Sequence, residues 1–132
     1  MKREQRERRA IETLFKELIG APRRRFPRSA VELNASRRRG VYVIYDRRGR
    51  VAHVGRTPTA KDGIVQRLRN HMRGQSSFAA HHLKDDGSRL WREKFECLWI
   101  VVPSGRYRAL LEAYAIGRLC PLHLGLGLKD LE

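Results

Sequence analysis

The stretch from Gly40 to Met72, reading GVYVIYDRRGRVAHVGRTPTAKDGIVQRLRNHM, constrains the fold more than any other part of this chain. Val41 to Tyr45 and Arg50 to Val54 are short apolar segments joined by the Gly-ended turn Asp46-Arg47-Arg48-Gly49. This pattern predicts an antiparallel hairpin. A polar loop with Pro58 and a glycine at each end, Gly55 to Gly63, comes next. Ile64 to Arg73 is then expected to be a helix that buries Ile64, Val65, Leu68 and Met72. Gln66, Arg67, Asn70 and His71 fall toward another face, and Gly74 ends the helix.

The flanking sequence supplies further elements. Lys2 to Ile19 predicts a helix, because Ala10, Ile11, Leu14, Phe15, Leu18 and Ile19 share one face and the other is charged. Gly20 and Pro22 stop it. Phe78 to Leu83 suits a short helix, followed by a turn at Asp85-Asp86-Gly87. Phe95 to Val102 predicts a strand whose alternation fails after Leu98, as in a central strand covered on both faces. Ser104 is placed to cap a helix running to about Leu119, with Tyr107, Leu110, Leu111, Tyr114 and Ile116 on its apolar side. Leu122 to Leu128 is an apolar, Gly-broken tail expected to lie back on the domain.

Charge narrows the partners. In 132 residues there are 29 Lys and Arg against 14 Asp and Glu, a net of +15. Such an excess favours a polyanion, since each phosphate contact releases counterions and attraction at a distance speeds encounter. Most of the basic residues are Arg, whose planar fork matches phosphate oxygens. Arg23-Arg24-Arg25 and Arg37-Arg38-Arg39 flank the first strand of the hairpin, where their mutual repulsion must be offset; a phosphate-tracking surface would do so. An anionic membrane fits less well, because no strongly apolar amphipathic anchor accompanies the charge. No apolar run is long enough to span a bilayer. Cys97 and Cys120 make no disulfide framework and suit small buried thiols in a reducing compartment, so a cytoplasmic protein is expected. His71, His81, His82, Cys97, Cys120 and His123 lack the short paired spacing of a zinc site.

Four pieces in order carry a resemblance. Gly40-Val41-Tyr42 and His53-Val54-Gly55 resemble the paired signature of the GIY-YIG nuclease superfamily. Gln66-Arg67-Leu68-Arg69-Asn70-His71 resembles its Arg-bearing helix, and Leu110-Leu111-Glu112-Ala113 its Glu-bearing helix. The similarity covers roughly Gly40 to Leu124. It implies hydrolysis of DNA phosphodiester bonds with one Mg²⁺ or Mn²⁺ ion held at Glu112. It also implies Arg67 on the phosphoryl oxygens, His71 one turn further on the same face, and Tyr42 orienting water or substrate. Arg56 and Arg69, with Arg37, Arg38 and Arg39, would hold the nucleic acid.

The residues support parts of this independently. Cleaving a phosphodiester needs an activated water and stabilisation of charge on the phosphoryl oxygens. Glu112 is a lone acid in the apolar run LLEAYAI, where a carboxylate is costly unless paired or metal-bound. Each residue also has a plainer role: Glu112 as partner of Arg108 or Arg118, Arg67 as a surface cation, Tyr42 as packing, and His71 as an ordinary polar residue.

The sequence departs from the family pattern in three places. His53 stands where the signature has a second Tyr, often proposed as the base. A neutral imidazole suits that task near neutral pH, its reference pKa being about 6.5 against about 10 for Tyr. Thr57 to Asp62 makes an extra loop. The Asn that often closes the site is absent; Pro121 is followed by Leu122, His123 and Leu124.

The expectation is therefore an α/β (α+β) domain of GIY-YIG type: a three-stranded, mostly antiparallel sheet flanked by helices. Residues 40–132 would form the nuclease-like domain, and residues 1–39 a basic helix and Arg-rich segment packed on it. The expected function is a metal-dependent endonuclease acting on DNA, with RNA as an alternative partner. The rival is a catalytically weak or inactive nucleic-acid-binding module of the same fold. Oligomeric state stays open, a homodimer being one option.

Overall fold

The computed structural model describes residues 2–58 and 61–125. The chain is α+β, with one antiparallel sheet flanked by helices. In order come α1 (Arg3–Ile19), β1 (Arg24–Arg25), a 3-10 turn (Ala30–Glu32), β2 (Gly40–Tyr45), β3 (Val51–Arg56) and α2 (Gly63–Met72). Then follow α3 (Ser77–His81), α4 (Arg89–Arg92), β4 (Glu96–Val101) and α5 (Gly105–Leu119).

Among the described residues the sheet has four strands in the order β1-β4-β2-β3, not three. The added strand, β1, pairs Arg24 with Cys97 and Arg25 with Glu96. Two exposed arginines carry no strand pattern of their own. The free side of β4 makes them a strand.

β2 lies between β3 and β4, and all six of its residues are buried. Its side chains alternate between two cores. Val41, Val43 and Tyr45 pack with Val54, Leu98 and Val102 against Ile11, Phe15 and Leu18 of α1 and Leu111 and Ala115 of α5. Tyr42 and Ile44 face the opposite way, onto Ile64, Val65 and Leu68 of α2, Phe78 and Ala79 of α3, and Leu90 of α4. The segment before Gly40 is part of this packing: α1 fills one core and β1 extends the sheet.

The turn Asp46–Gly49 closes through Asp46, whose carboxylate accepts from the backbone N–H groups of Arg48 and Arg50. Gly49 there has φ 79°, a left-handed conformation that glycine adopts without strain. Ser104 caps α5 as expected, accepting from the Tyr107 N–H.

The buried stripe of α5 differs from the expected one: it runs Arg108, Leu111, Ala115. Arg108 is buried because its Nη1 donates to the carbonyls of Val102 and Pro103, satisfying the end of β4. Cys97 is buried, but Cys120 is exposed, at φ 47° just past the end of α5. Leu122 and His123 lie back on the domain by donating to the carbonyls of Val51 and Ala52. The rest of the expected tail, beyond Gly125, lies outside the described residues, as do Thr59 and Ala60 of the loop. Among the described residues, no helix is long and apolar enough to cross a membrane.

Candidate active site

A cavity of about 610 Å³ opens beside the β3 edge. Tyr42, His53, Arg56, Arg67 and Glu112 all line it. They come from β2, β3, α2 and α5, so the fold gathers residues that are far apart in sequence.

The strand register explains the two signature strands. Tyr42 pairs with Gly55, and Ile44 with His53, so Tyr42 and His53 share a face. A Cβ at Gly55 would lie 2.3 Å from the Tyr42 hydroxyl. Only glycine leaves room for that phenol ring over β3. At the start of α2, Gly63 serves a different need: its φ is 63°, and a Cβ there would lie 2.1 Å from the Arg38 carbonyl. That close approach lets Ile64 and Val65 donate to the carbonyls of Arg38 and Ser36, which fixes the helix carrying Arg67.

His71 does not line the cavity; it is only 1% exposed and sits behind Tyr42. Its Nε2 hydrogen-bonds the Tyr42 hydroxyl at 2.7 Å, and its Nδ1 bonds Ser76 Oγ at 2.7 Å. Ser76 in turn accepts from the Ala79 N–H as the cap of α3. A line of side chains thus runs from the α3 cap to the Tyr42 hydroxyl at the cavity wall. His71 takes the inward position expected for Met72, which is only partly buried. His71 is therefore a positioning residue for Tyr42. It does not reach the cavity from the face of Arg67.

Burial pushes the Tyr42 phenol up to about 12, against the pull of the Arg67 guanidinium. Tyr42 therefore keeps its proton at neutral pH. Burial likewise takes His53 down to about 3, helped by neighbouring His123, Arg67 and His82. The reference value of about 6.5 that favoured His53 as a base does not survive folding. His71 is held well below the ordinary imidazole range, by burial first and then by His53 and Arg67. The imidazoles are neutral and rely on hydrogen bonds for their orientation.

His53 Nδ1 lies 3.1 Å from His123 Nδ1, and the His53 ring stacks on Phe78 at 4.8 Å. His123 is buried where the resemblance expects an Asn. It closes on His53 because its backbone N–H pairs with Ala52. Thr57, expected in a loose loop, is buried. Its hydroxyl accepts from the Gly40 N–H at 2.9 Å, and its own N–H donates to the Gly40 carbonyl. That closure ties down the loop start next to the cavity.

The cations divide into distinct settings. Arg67 presents a guanidinium whose Nε is buried and makes no hydrogen bond among the described residues. Arg56 Nε donates to Glu112 Oε1 at 3.0 Å. Glu112 thus has an ion-pair partner, but Arg56 provides it, and neither Arg108 nor Arg118 does. Arg69 faces away, donating to the carbonyls of Ala30 and Leu33, so it holds the 3-10 turn and is not free for nucleic acid. Arg37, Arg38 and Arg39 are exposed just before β2.

Among the described residues, no group of three or more His, Cys, Asp or Glu could hold a metal ion. The donor set at Glu112 fits the other common mode, in which one carboxylate binds a hydrated Mg²⁺. Arg56 engages one Glu112 oxygen, and the carboxylate borders an open cavity.

The chain matches no model of a known protein family and no curated protein.

Sequence reasoning missed Ser76 and Thr57. Ser76 had a signal, since a serine just before a short apolar helix is a natural cap. Thr57 had none, because its partner Gly40 is distant in sequence.

Proposed function

We propose that this cavity hydrolyses phosphodiester bonds, and that the protein is a metal-dependent DNA endonuclease of GIY-YIG type. One observation carries the reading. Tyr42, His53, Arg67 and Glu112, picked out on separate sequence motifs, line a single cavity with an unpaired guanidinium nitrogen at Arg67.

In this reading Arg67 binds the non-bridging phosphate oxygens, where negative charge grows in the transition state. Tyr42, held by His71 and Ser76, orients the attacking water through its hydroxyl. His53 lines the same cavity and would accept the proton of the attacking water as a base weakened chiefly by burial, and in lesser part by His123 and by the Arg67 charge that a bound phosphate offsets. His53 Nδ1 faces His123, which leaves Nε2 for that proton. Glu112 would hold the divalent ion, which supplies charge stabilisation at the phosphoryl group. Arg56 holds Glu112 at the cavity wall until then.

The Arg56–Glu112 pair also favours the second reading, a nucleic-acid-binding module without catalysis, since an arginine already neutralises the carboxylate. One experiment separates them. Purified protein is incubated with supercoiled plasmid and Mg²⁺ or Mn²⁺ beside Arg67→Ala and Glu112→Ala. Nicking by wild type alone supports the nuclease. Equal behaviour of all three proteins assigns any cutting to contamination and leaves the binding module.

A further inference from the structure

A second surface lies at the opposite edge of the sheet, about three strand spacings of ~4.8 Å from β3. Arg23, Arg24, Arg25 and Arg28 are all exposed there. None of them forms an ion pair among the described residues. Three are held by aromatic rings instead. The Arg23 Cζ lies 3.6 Å from the centroid of Tyr45, Arg24 lies 5.2 Å from Trp99, and Arg28 lies 5.2 Å from Trp91. A ring face steadies a guanidinium without using its N–H donors. Those donors remain for an anion.

A groove of about 190 Å³ runs beside these residues. Trp99, Leu33 and Pro27 give it apolar walls, and Asn34 and Glu32 add an amide and a carboxylate. Arg24 and Arg25 border it. One flat aromatic wall at Trp99, two groups able to hydrogen-bond a base edge, and adjacent cations match one nucleotide unit. The aromatic wall requires a base with an open face. Duplex DNA stacks its bases against one another, whereas a single strand can turn one outward.

We propose that this edge binds single-stranded nucleic acid, with Arg24, Arg25 and Arg28 on phosphates and a base in the groove that Trp99 walls. The surface does not depend on cleavage in the cavity, and a protein that failed the plasmid test would still carry it.

The test is made without divalent ions, so that no strand is cut. In Trp91→Phe protein, Trp99 is the only tryptophan, and its fluorescence is followed as single-stranded DNA of mixed sequence is added. Saturable quenching is expected, with little from a duplex of the same sequence. By anisotropy with a labelled single strand, Trp99→Leu should weaken binding about ten-fold. Arg24→Ala and Arg28→Ala lie on the exposed surface, so their folding is checked simply by circular dichroism. Each should lower the salt slope of binding by about one. Unchanged affinity in both arginine variants would overturn the proposal, as would equal quenching by duplex or none by single strand.

Discussion

The two edges of this sheet hold their polar side chains in different ways. At the β3 edge the side chains are locked by hydrogen bonds and ion pairs: Tyr42 to His71 to Ser76, His53 to His123, and Arg56 to Glu112. At the β1 edge the arginines rest on rings and stay in solvent. The first arrangement fixes atoms before a substrate arrives and shifts proton affinities through burial. The second keeps donors available while giving up little freedom. Preorganisation of the first kind suits chemistry, because aligned dipoles need not reorganise in the transition state. The second kind suits binding of a flexible polyanion.

If that contrast is sound, substitutions at the two edges should differ in kind. The largest effect is expected at the cavity. Arg67→Ala should lower cleavage about 10²- to 10³-fold, as for loss of a transition-state anion donor, while binding of DNA changes far less. Rates and affinities measured on the same preparation check this.

The His71–Tyr42 contact should come next. His71→Phe leaves the buried Tyr42 hydroxyl without its partner and should cost about 1–3 kcal/mol of stability, read from urea midpoints. Gly55→Ala should cost a similar amount, about 1–3 kcal/mol. Its Cβ must displace the phenol ring, so cleavage should fall as well, as a thermal melt and a nicking assay together would show.

Acid should expose the neutral imidazoles. His53 falls from about 6.5 in the unfolded chain to about 3 in the folded one. The unfolded chain thus takes up the proton first. The stability that neutral His53 contributes is present above pH 6.5 and declines as pH falls toward 3. His53→Phe should lose less stability across that window, although lowered His71 and His123 leave part of the slope. Denaturation midpoints at several pH values test the sign.

The smallest effect is expected from Arg37, Arg38 and Arg39. Replacing all three should flatten the salt dependence of DNA affinity by about one per lost phosphate contact.

Much of the fold was legible because local pattern and tertiary context agree. The hairpin, its turn glycine Gly49 and the cap at Ser104 follow from apolar spacing and turn chemistry; the strand fully buried on both faces is β2, whereas β4 is only partly buried after Leu98. What was illegible depends on partners remote in sequence. β1 exists because β4 has a free edge. Arg108 is buried because β4 ends in carbonyls that need donors.

At the site, the Gly55–Tyr42 pairing was implicit in the two signature strands, since only register connects them. The inward turn of His71 was not, because a helix stripe can rotate by one residue without violating its period. Nor was the fall in His53's proton affinity, which depends on how deeply the strand is covered. Arg69 shows the same limit from the other side: a basic residue next to Arg67 in sequence is consumed by two backbone carbonyls.

The most direct measurement is the single-turnover cleavage rate with Mg²⁺ and saturating DNA, for wild type and for Glu112→Gln. The substitution keeps the shape of the side chain and removes the charge that would hold an ion. A loss of at least about 100-fold, with DNA affinity intact, is the expected result. Equal rates in the two proteins would contradict a cleavage site in this cavity.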